Sequence, residues 1–260
     1  MSQDVQKLFG SAVAEGAISE QTAQILSVKD IGAAIQAGLG VPVDDVQSSE
    51  VVLVTMMPDD SSSIRAAGNA QVVRDGHNLV IEALSASKQK GNILAHTRYL
   101  NGGILYPYKS LDQAAKMDQS NYDPNGGTPL YDQTIVLLGT VLAKTQEFAE
   151  NGVPVRTVTL IITDGHDEHS VKSTPRDVAL VVKDMLMSEN HIVAAMGIND
   201  GRTDFRQVFQ GMGVEDQWIL TPGNTPSEIR RAFQVFSQSA VRASQNAVSF
   251  SQAAAGGFGK

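Results

Sequence analysis

The chain of 260 residues contains no cysteine. Disulfide bonds, thiolate metal sites and a cysteine nucleophile are therefore excluded. Aromatic residues make up only 5% of the sequence, yet hydrophobic residues reach 42% and charged residues 18%. These proportions leave enough apolar surface for a packed core, so a largely disordered chain is not expected.

Basic runs and long apolar runs are also missing. Because 20 Lys and Arg residues stand against 28 Asp and Glu, the net charge is −8, which argues against a protein that binds a nucleic-acid backbone. No stretch approaches the roughly 18 apolar residues that a membrane-spanning helix needs. Residues 1–7 lack the charged start and the apolar segment of a signal peptide. We therefore expect a soluble, cytoplasmic protein that binds neither nucleic acid nor membrane.

The beginning and the end of the chain differ in composition from the middle. In the first part, apolar residues at helical intervals alternate with Ala, Gln and Glu, and several glycines divide the region. This pattern predicts short helices, and no residue cluster there suggests chemistry. We interpret residues 1–47 as a helical N-terminal extension and residues 48–248 as the main domain. Residues 249–260, rich in Ala, Gly, Ser and Gln, are expected to form a flexible tail.

Strands alternate with helices through the main domain. Two continuous apolar and β-branched runs, residues 51–55 and 155–163, predict buried strands that are covered on both faces. Helical segments follow each run, and Asn101-Gly102 marks a hairpin turn between two further strands. This order predicts a Rossmann-like three-layer α/β/α fold, in which a mostly parallel central sheet has one antiparallel edge strand.

Three predicted loops offer hard oxygen donors at the ends of strands or the start of a helix. The first contains Asp59, Ser61 and Ser63, the second ends at Thr128, and the third begins with Asp164. Ligands of such sheets bind beyond the carboxyl ends of the strands. Carboxylate and hydroxyl oxygens suit Mg²⁺, and also Mn²⁺ or Ca²⁺. A cation held by few carboxylates and several neutral hydroxyls would favour an added acidic residue from another protein.

These residues also resemble a known motif, the metal-ion-dependent adhesion site of the von Willebrand factor type A family. That site combines Asp-x-Ser-x-Ser after the first strand, a Thr in a second loop and an Asp after a later strand. The matching residues here are Asp59, Ser61, Ser63, Thr128 and Asp164. The last two lie within Gly-Gly-Thr-Pro-Leu and Ile-Thr-Asp-Gly, and the resemblance covers roughly residues 50–245.

The resemblance implies a function as well as a fold. In that family the hydroxyls and carboxylates bind a divalent cation directly or through water, and a partner carboxylate commonly completes the coordination. It therefore implies a non-enzymatic adaptor that uses a cation, Mg²⁺ first and Mn²⁺ or Ca²⁺ as alternatives, to bind a Glu or Asp of a partner protein. Intracellular bacterial members often serve AAA+ ATPase complexes, so a complex of that class is an implied partner.

Other interpretations stay open. Ser61, Ser63 and Thr128 also suit helix N-caps, which need no ligand. A Mg²⁺-dependent phosphohydrolase on a Rossmann-like sheet would use Asp59 or Asp60 as its nucleophile, although no glycine-rich phosphate loop or well-placed lysine accompanies them. A structural assembly subunit with a degenerate metal site is a further alternative.

Two more polar groups stand close to the three loops. The His-Asp-Glu-His run at residues 166–169 lacks the spacing of a zinc site, so a solvated loop is favoured, with Asp167 at its rim. Asp123 and Asn125 are candidate ligands for a secondary cation. Neither group changes the main prediction, which rests on the three loops.

Overall fold

A six-stranded sheet forms the middle layer of the computed structural model, which describes residues 3–27 and 31–258. The strands are β1 (Val51–Pro58), β2 (Ile93–Arg98), β3 (Ile104–Ser110), β4 (Val155–Thr163), β5 (His191–Gly197) and β6 (Ile219–Leu220). Their spatial order is β3-β2-β1-β4-β5-β6. Within the described residues β2 and β3 pair antiparallel, and the other neighbours pair parallel. The predicted sheet with one antiparallel edge strand is therefore confirmed.

Helices cover both faces of this sheet and complete the predicted three-layer α/β/α architecture. They are α1 (Gln3–Ala14), α2 (Glu20–Leu26), α3 (Ile31–Gln36), α4 (Ser62–Ala66), α5 (Ala70–Ser85), α6 (Leu130–Ala149), α7 (Pro175–Met187), α8 (Phe205–Gly211), α9 (Pro226–Ser244) and α10 (Ala247–Gly256). Helix α5 packs against α9, whereas α6 packs against α1, α3 and α7. No helix in the described part of the chain has the length and apolar character needed to cross a membrane.

Strand β1 extends further than the sequence predicted. The apolar and β-branched run suggested an end at residue 55, but β1 continues through two buried methionines to Pro58, which pairs in register with Ile162 of β4. Proline lacks a backbone N–H donor. Because Pro58 is the last residue of the strand, the missing donor interrupts no further hydrogen bonds of the ladder. The Pro58 carbonyl still accepts a hydrogen bond from the Leu100 N–H at 3.2 Å. Asp59 therefore follows the strand directly.

The short helices predicted for the N-terminal region are present and pack on the domain. Val5, Phe9 and Leu26 are buried in the same apolar core as the sheet strands. Gly139 of α6 makes room for this packing, because a Cβ there would lie 2.7 Å from Ile35 Cδ1. Covering α6 in this way removes its outer face from water, which explains why that helix is apolar on most sides.

The C-terminal region differs from the flexible tail that its composition suggested. Residues Ala247–Gly256 form α10, and Asn246 caps it by accepting the Ser249 N–H at 2.9 Å. Phe250 is buried, and the Phe258 ring lies 4.8 Å from the Trp218 ring, centroid to centroid. Two aromatic anchors thus hold a segment whose small residues alone predicted no packing.

Candidate metal site

The three oxygen-rich loops meet at the centre of the sheet, where successive strands are added on opposite sides. Strands β1 and β4 are neighbours at the centre of the sheet, and the chain continues outward from them in opposite directions. Such a divergence leaves a crevice at the carboxyl ends of the strands. The second loop closes one side of it, because the Ser62 N–H donates to the Gly126 carbonyl and the Gly126 N–H donates to the Asp60 carbonyl, both at 3.0 Å.

Four of the five predicted ligand residues border one cavity of about 360 Å³ in this crevice. They are Ser61, Ser63, Thr128 and Asp164. The fifth, Asp59, is completely buried and lies deeper, hydrogen-bonded to Ser61. The fold therefore brings together residues that are more than 100 positions apart in the sequence.

A chain of hydrogen bonds joins the first loop to the third. The Ser61 and Ser63 hydroxyl oxygens are 2.8 Å apart, and the Ser63 hydroxyl donates to Asp164 Oδ1 at 2.5 Å. These oxygens consequently face one another on the wall of the cavity. They form the kind of hard-oxygen group that Mg²⁺ and Ca²⁺ prefer.

Asp59 is held from two sides. Its Oδ1 accepts the Ser61 N–H at 2.7 Å, and its Oδ2 accepts the Thr163 hydroxyl at 2.7 Å. Burial raises the pKa of Asp59, and the hydrogen bonds from Ser61 and Thr163 offset part of that rise. The Tyr122 hydroxyl donates to the Asp59 carbonyl and fixes the backbone at the end of β1.

Asp164 is also buried, and its pKa is raised for the same reason as that of Asp59. Burial raises its pKa to about 6, against the effect of the Ser63 hydrogen bond, and the nearby charge of Asp59 adds to the rise. Among the described residues, neither carboxylate forms an ion pair with a Lys, Arg or His side chain. Arg202 borders the cavity without pairing with either. Within the described chain, two neighbouring buried acids thus lack a countercharge of the kind that a bound cation would supply.

The hydroxyl groups are not used as helix caps. Ser61 occupies the N-cap position of α4, but its side chain makes no capping hydrogen bond. Helix α6 begins at Leu130 with Pro129 at its N-cap position, and so Thr128 is not its N-cap. In the described part of the chain the Thr128 hydroxyl has no hydrogen-bond partner. Capping alone therefore does not account for these residues.

The loop at residues 165–173 is attached to the start of α6. Asp167 accepts the Tyr131 N–H at 3.2 Å, and Asp132 accepts the N–H groups of Val171 and Ser173 at 2.9 and 2.7 Å. His166, Glu168 and His169 are exposed, as predicted for a solvated loop, while Asp167 of the loop and Asp132 of the helix tie the two together. No group of three or more His, Cys, Asp or Glu side chains that could hold a metal occurs among the described residues.

Several residues of the site were not predicted from the sequence. Asn101 reaches it from the β2–β3 turn, His169 Nδ1 accepts the Thr128 N–H at 2.9 Å, and Asp200 and Arg202 border the cavity from the loop after β5. Only the position after β5 was recognisable, since it follows the same rule of strand ends. Asp123, a candidate for a secondary cation site, instead pairs with Arg65 in solvent.

No protein-family model and no curated protein matches the sequence. Among solved structures, the pilus adhesin SpaC from Lactobacillus rhamnosus GG superposes with a TM-score of 0.55 and 14% identity, over 75% of this chain and 30% of the adhesin. A von Willebrand factor type A protein from Catenulispora acidiphila gives a TM-score of 0.51 and 17% identity, over 75% of this chain and 43% of that protein.

A third similar structure is proximal thread matrix protein 1 from the mussel byssus, described with a zinc-occupied metal-ion-dependent adhesion site. Its TM-score is 0.50 at 15% identity, over 74% of this chain and 46% of the matrix protein. This chain thus spans less than half the length of each of the three proteins. At such low identities the similarity concerns the fold. The chain has the α/β/α fold of von Willebrand factor type A domains.

Proposed function

We propose that the chain is a protein-binding module that depends on a divalent cation. The hydroxyls of Ser61, Ser63 and Thr128 and the carboxylates of Asp59 and Asp164 would hold the ion. The observation that carries this proposal is their convergence at one cavity, with two buried acids that have no cationic partner among the described residues.

The chemistry of the donor set fits a hard cation. Oxygen ligands of this kind favour Mg²⁺, with Mn²⁺ and Ca²⁺ as alternatives. Asp164 borders the cavity and would contact the ion, whereas the deeper Asp59 would contribute its charge. When bound, the cation would stabilise both carboxylates in their ionised form and so lower their raised pKa values.

The partner that this site suits is a protein that presents a Glu or Asp side chain. Neutral hydroxyls leave part of the cation's charge uncompensated, and the cavity at the sheet edge gives a partner carboxylate access to it. Proteins of the same fold include one described as a pilus adhesin, which supports a binding role by analogy. An AAA+ ATPase complex is the class of partner that the family resemblance implies.

A phosphohydrolase is less consistent with the geometry. Asp59 is completely buried and both of its oxygens accept hydrogen bonds, so it is poorly placed to attack a substrate. Asp60 Oδ1 accepts two hydrogen bonds from Asn101. Within the described residues no lysine borders the cavity to support a phosphate. Binding without turnover is therefore the better-supported function.

Capture of a partner by the immobilised protein tests this proposal. We expect native extract to yield a partner in Mg²⁺ but not in EDTA, and Asp59→Ala and Thr128→Ala to lose it in both. Thr174→Ala is the matched control, because that hydroxyl caps α7 away from the cavity. If EDTA and the two site variants leave capture unchanged while all proteins remain folded by circular dichroism, the proposal is wrong.

A further inference from the structure

Asn101, in the turn between β2 and β3, connects two of the loops that form the cavity. Its Nδ2 donates to Asp60 Oδ1 at 2.8 Å and to the Gly127 carbonyl at 2.9 Å, and its Oδ1 accepts the Gly127 N–H at 3.0 Å. The Asn101 backbone N–H donates to the same Asp60 oxygen at 2.8 Å. One side chain therefore holds both polar groups of Gly127 and the first loop together.

The backbone before Thr128 is enclosed between two side chains. A Cβ at Gly126 would lie 2.2 Å from Asn101 Nδ2, and a Cβ at Gly127 would lie 2.8 Å from His169 Nδ1. A side chain at Gly126 would displace Asn101, and one at Gly127 would displace His169. His169 also accepts the Thr128 N–H, so the segment is fixed from both sides immediately before the Thr128 hydroxyl.

We propose that Asn101 is a positioning residue that fixes the Thr128 hydroxyl and makes the site selective for Mg²⁺ over Ca²⁺. This inference rests on the proposed function. Mg²⁺ requires near-octahedral ligands at about 2.0–2.1 Å, whereas Ca²⁺ accepts flexible coordination at about 2.3–2.6 Å. Two loops that Asn101 joins by four hydrogen bonds keep short, fixed distances, and released loops adapt to the larger ion.

The position of Asn101 allows its role to be separated from folding. Its side chain is solvent-exposed, and its hydrogen-bond partners are loop atoms outside the apolar core. A substitution there leaves core packing intact, so we expect a change of stability within about 1 kcal/mol. A change in metal binding would then report on the site itself.

Calorimetric titration of the full chain with Mg²⁺ and with Ca²⁺ tests the inference. We expect Asn101→Ala to weaken Mg²⁺ binding by about 10- to 100-fold, as the loss of groups that orient ligands does elsewhere, and Ca²⁺ binding by less. Asn151→Ala is the matched control, since that exposed amide donates to the Glu147 carbonyl away from the site. The control should bind both ions as the wild type does.

Amide hydrogen exchange of Gly127 in metal-free protein gives a second readout. Its N–H is bonded to Asn101 Oδ1, so Asn101→Ala should accelerate its exchange by about tenfold or more. Asn101→Asp keeps that acceptor but loses both Nδ2 donations and brings a carboxylate towards Asp60. It should protect the Gly127 amide and still weaken Mg²⁺ binding.

Four results would contradict the proposed function, the role of Asn101, or both. A wild-type protein that binds neither ion would contradict the proposed function, and the selectivity with it. A wild type that binds Mg²⁺, together with Asn101 variants of unchanged affinity, would overturn the inference alone. Equal losses of Mg²⁺ and Ca²⁺ affinity would refute selectivity, and unchanged Gly127 exchange in Asn101→Ala would refute the positioning.

Discussion

Buried charges at the two ends of the sheet have different surroundings. Near the end where the strands begin, Arg156 Nη2 lies 3.0 Å from Glu50 Oε1, and Lys144 Nζ lies 2.9 Å from Glu147 Oε2. At the end where the strands finish, Asp59 and Asp164 are just as deeply buried. Within the described residues they have no cationic partner. The buried cations Lys144 and Arg156 are thus paired within the chain, whereas we propose that a ligand pairs the carboxylates of the site.

The largest expected effect comes from breaking a pair at the first end. Glu147→Ala leaves the completely buried Lys144 ammonium without its carboxylate, and we expect the free energy of unfolding to fall by about 2–4 kcal/mol in urea titrations. Glu82→Ala is the matched control, because Glu82 pairs with Lys116 at 3.1 Å in solvent and should cost only about 0–1 kcal/mol. Equal losses in the free energy of unfolding of the two variants would show that burial does not make the Lys144–Glu147 pair more important for stability than an exposed pair.

Removing a charge at the opposite end should have the opposite sign. Ionised Asp164 destabilises the metal-free protein because its pKa of about 6 lies above the ordinary value of 3.8. Asp164→Asn keeps an oxygen for the Ser63 hydroxyl, and we expect it to raise the free energy of unfolding by about 1–3 kcal/mol at pH 8.

The pH dependence of this gain follows from the same shift. Below pH 6 the folded wild type takes up a proton at Asp164, so its disadvantage shrinks and is nearly gone at pH 4. Unfolding titrations of both proteins in EDTA between pH 4 and pH 8 measure this. A variant that is less stable than wild type across the whole range would contradict the description of Asp164 as an uncompensated charge.

The smallest effect compares two threonine hydroxyls. Thr174 caps α7 by accepting the Asp177 N–H, so Thr174→Ala should cost about 1 kcal/mol of stability with or without metal. The Thr128 hydroxyl has no partner in the described part of the chain, and Thr128→Ala should cost less than about 0.5 kcal/mol in EDTA. Thermal unfolding with and without Mg²⁺ should show that only Thr128→Ala loses the stabilisation by the ion. A loss of that stabilisation in Thr174→Ala would contradict the assignment of Thr128, and not Thr174, to the cation site.

Much of the architecture could be predicted because the pattern is local. The β-branched run of β4 marked its bounds, and Asn101-Gly102 marked the turn between β2 and β3. The predicted end of β1 at residue 55 was wrong, because the β-branched run stops there while the strand continues through two methionines to Pro58, whose place at its last residue is tolerated. The tail was misjudged because two aromatic anchors, Phe250 and Phe258, outweigh the small residues around them.

The oxygen residues of the candidate site could be proposed from the sequence because each stands at a recognisable strand or helix boundary. Their mutual contacts could not. The hydrogen bond from Ser63 to Asp164 spans about a hundred residues, and the clamp of Asn101 on Gly127 depends on where the β2–β3 turn lies. Such contacts follow from the order of the strands in the sheet, which cannot be predicted from the local periodicity of the sequence.

Calorimetric titration of the purified metal-free chain with Mg²⁺ and Mn²⁺ at pH 7.5 tests the central claim most directly. We expect one ion per wild-type chain and no measurable binding to folded Asp164→Ala or Asp59→Ala. Glu82→Ala should bind the ion as the wild type does. A folded wild type that binds neither ion, or an Asp164→Ala variant with full affinity, would contradict the claim that this cavity is a cation site.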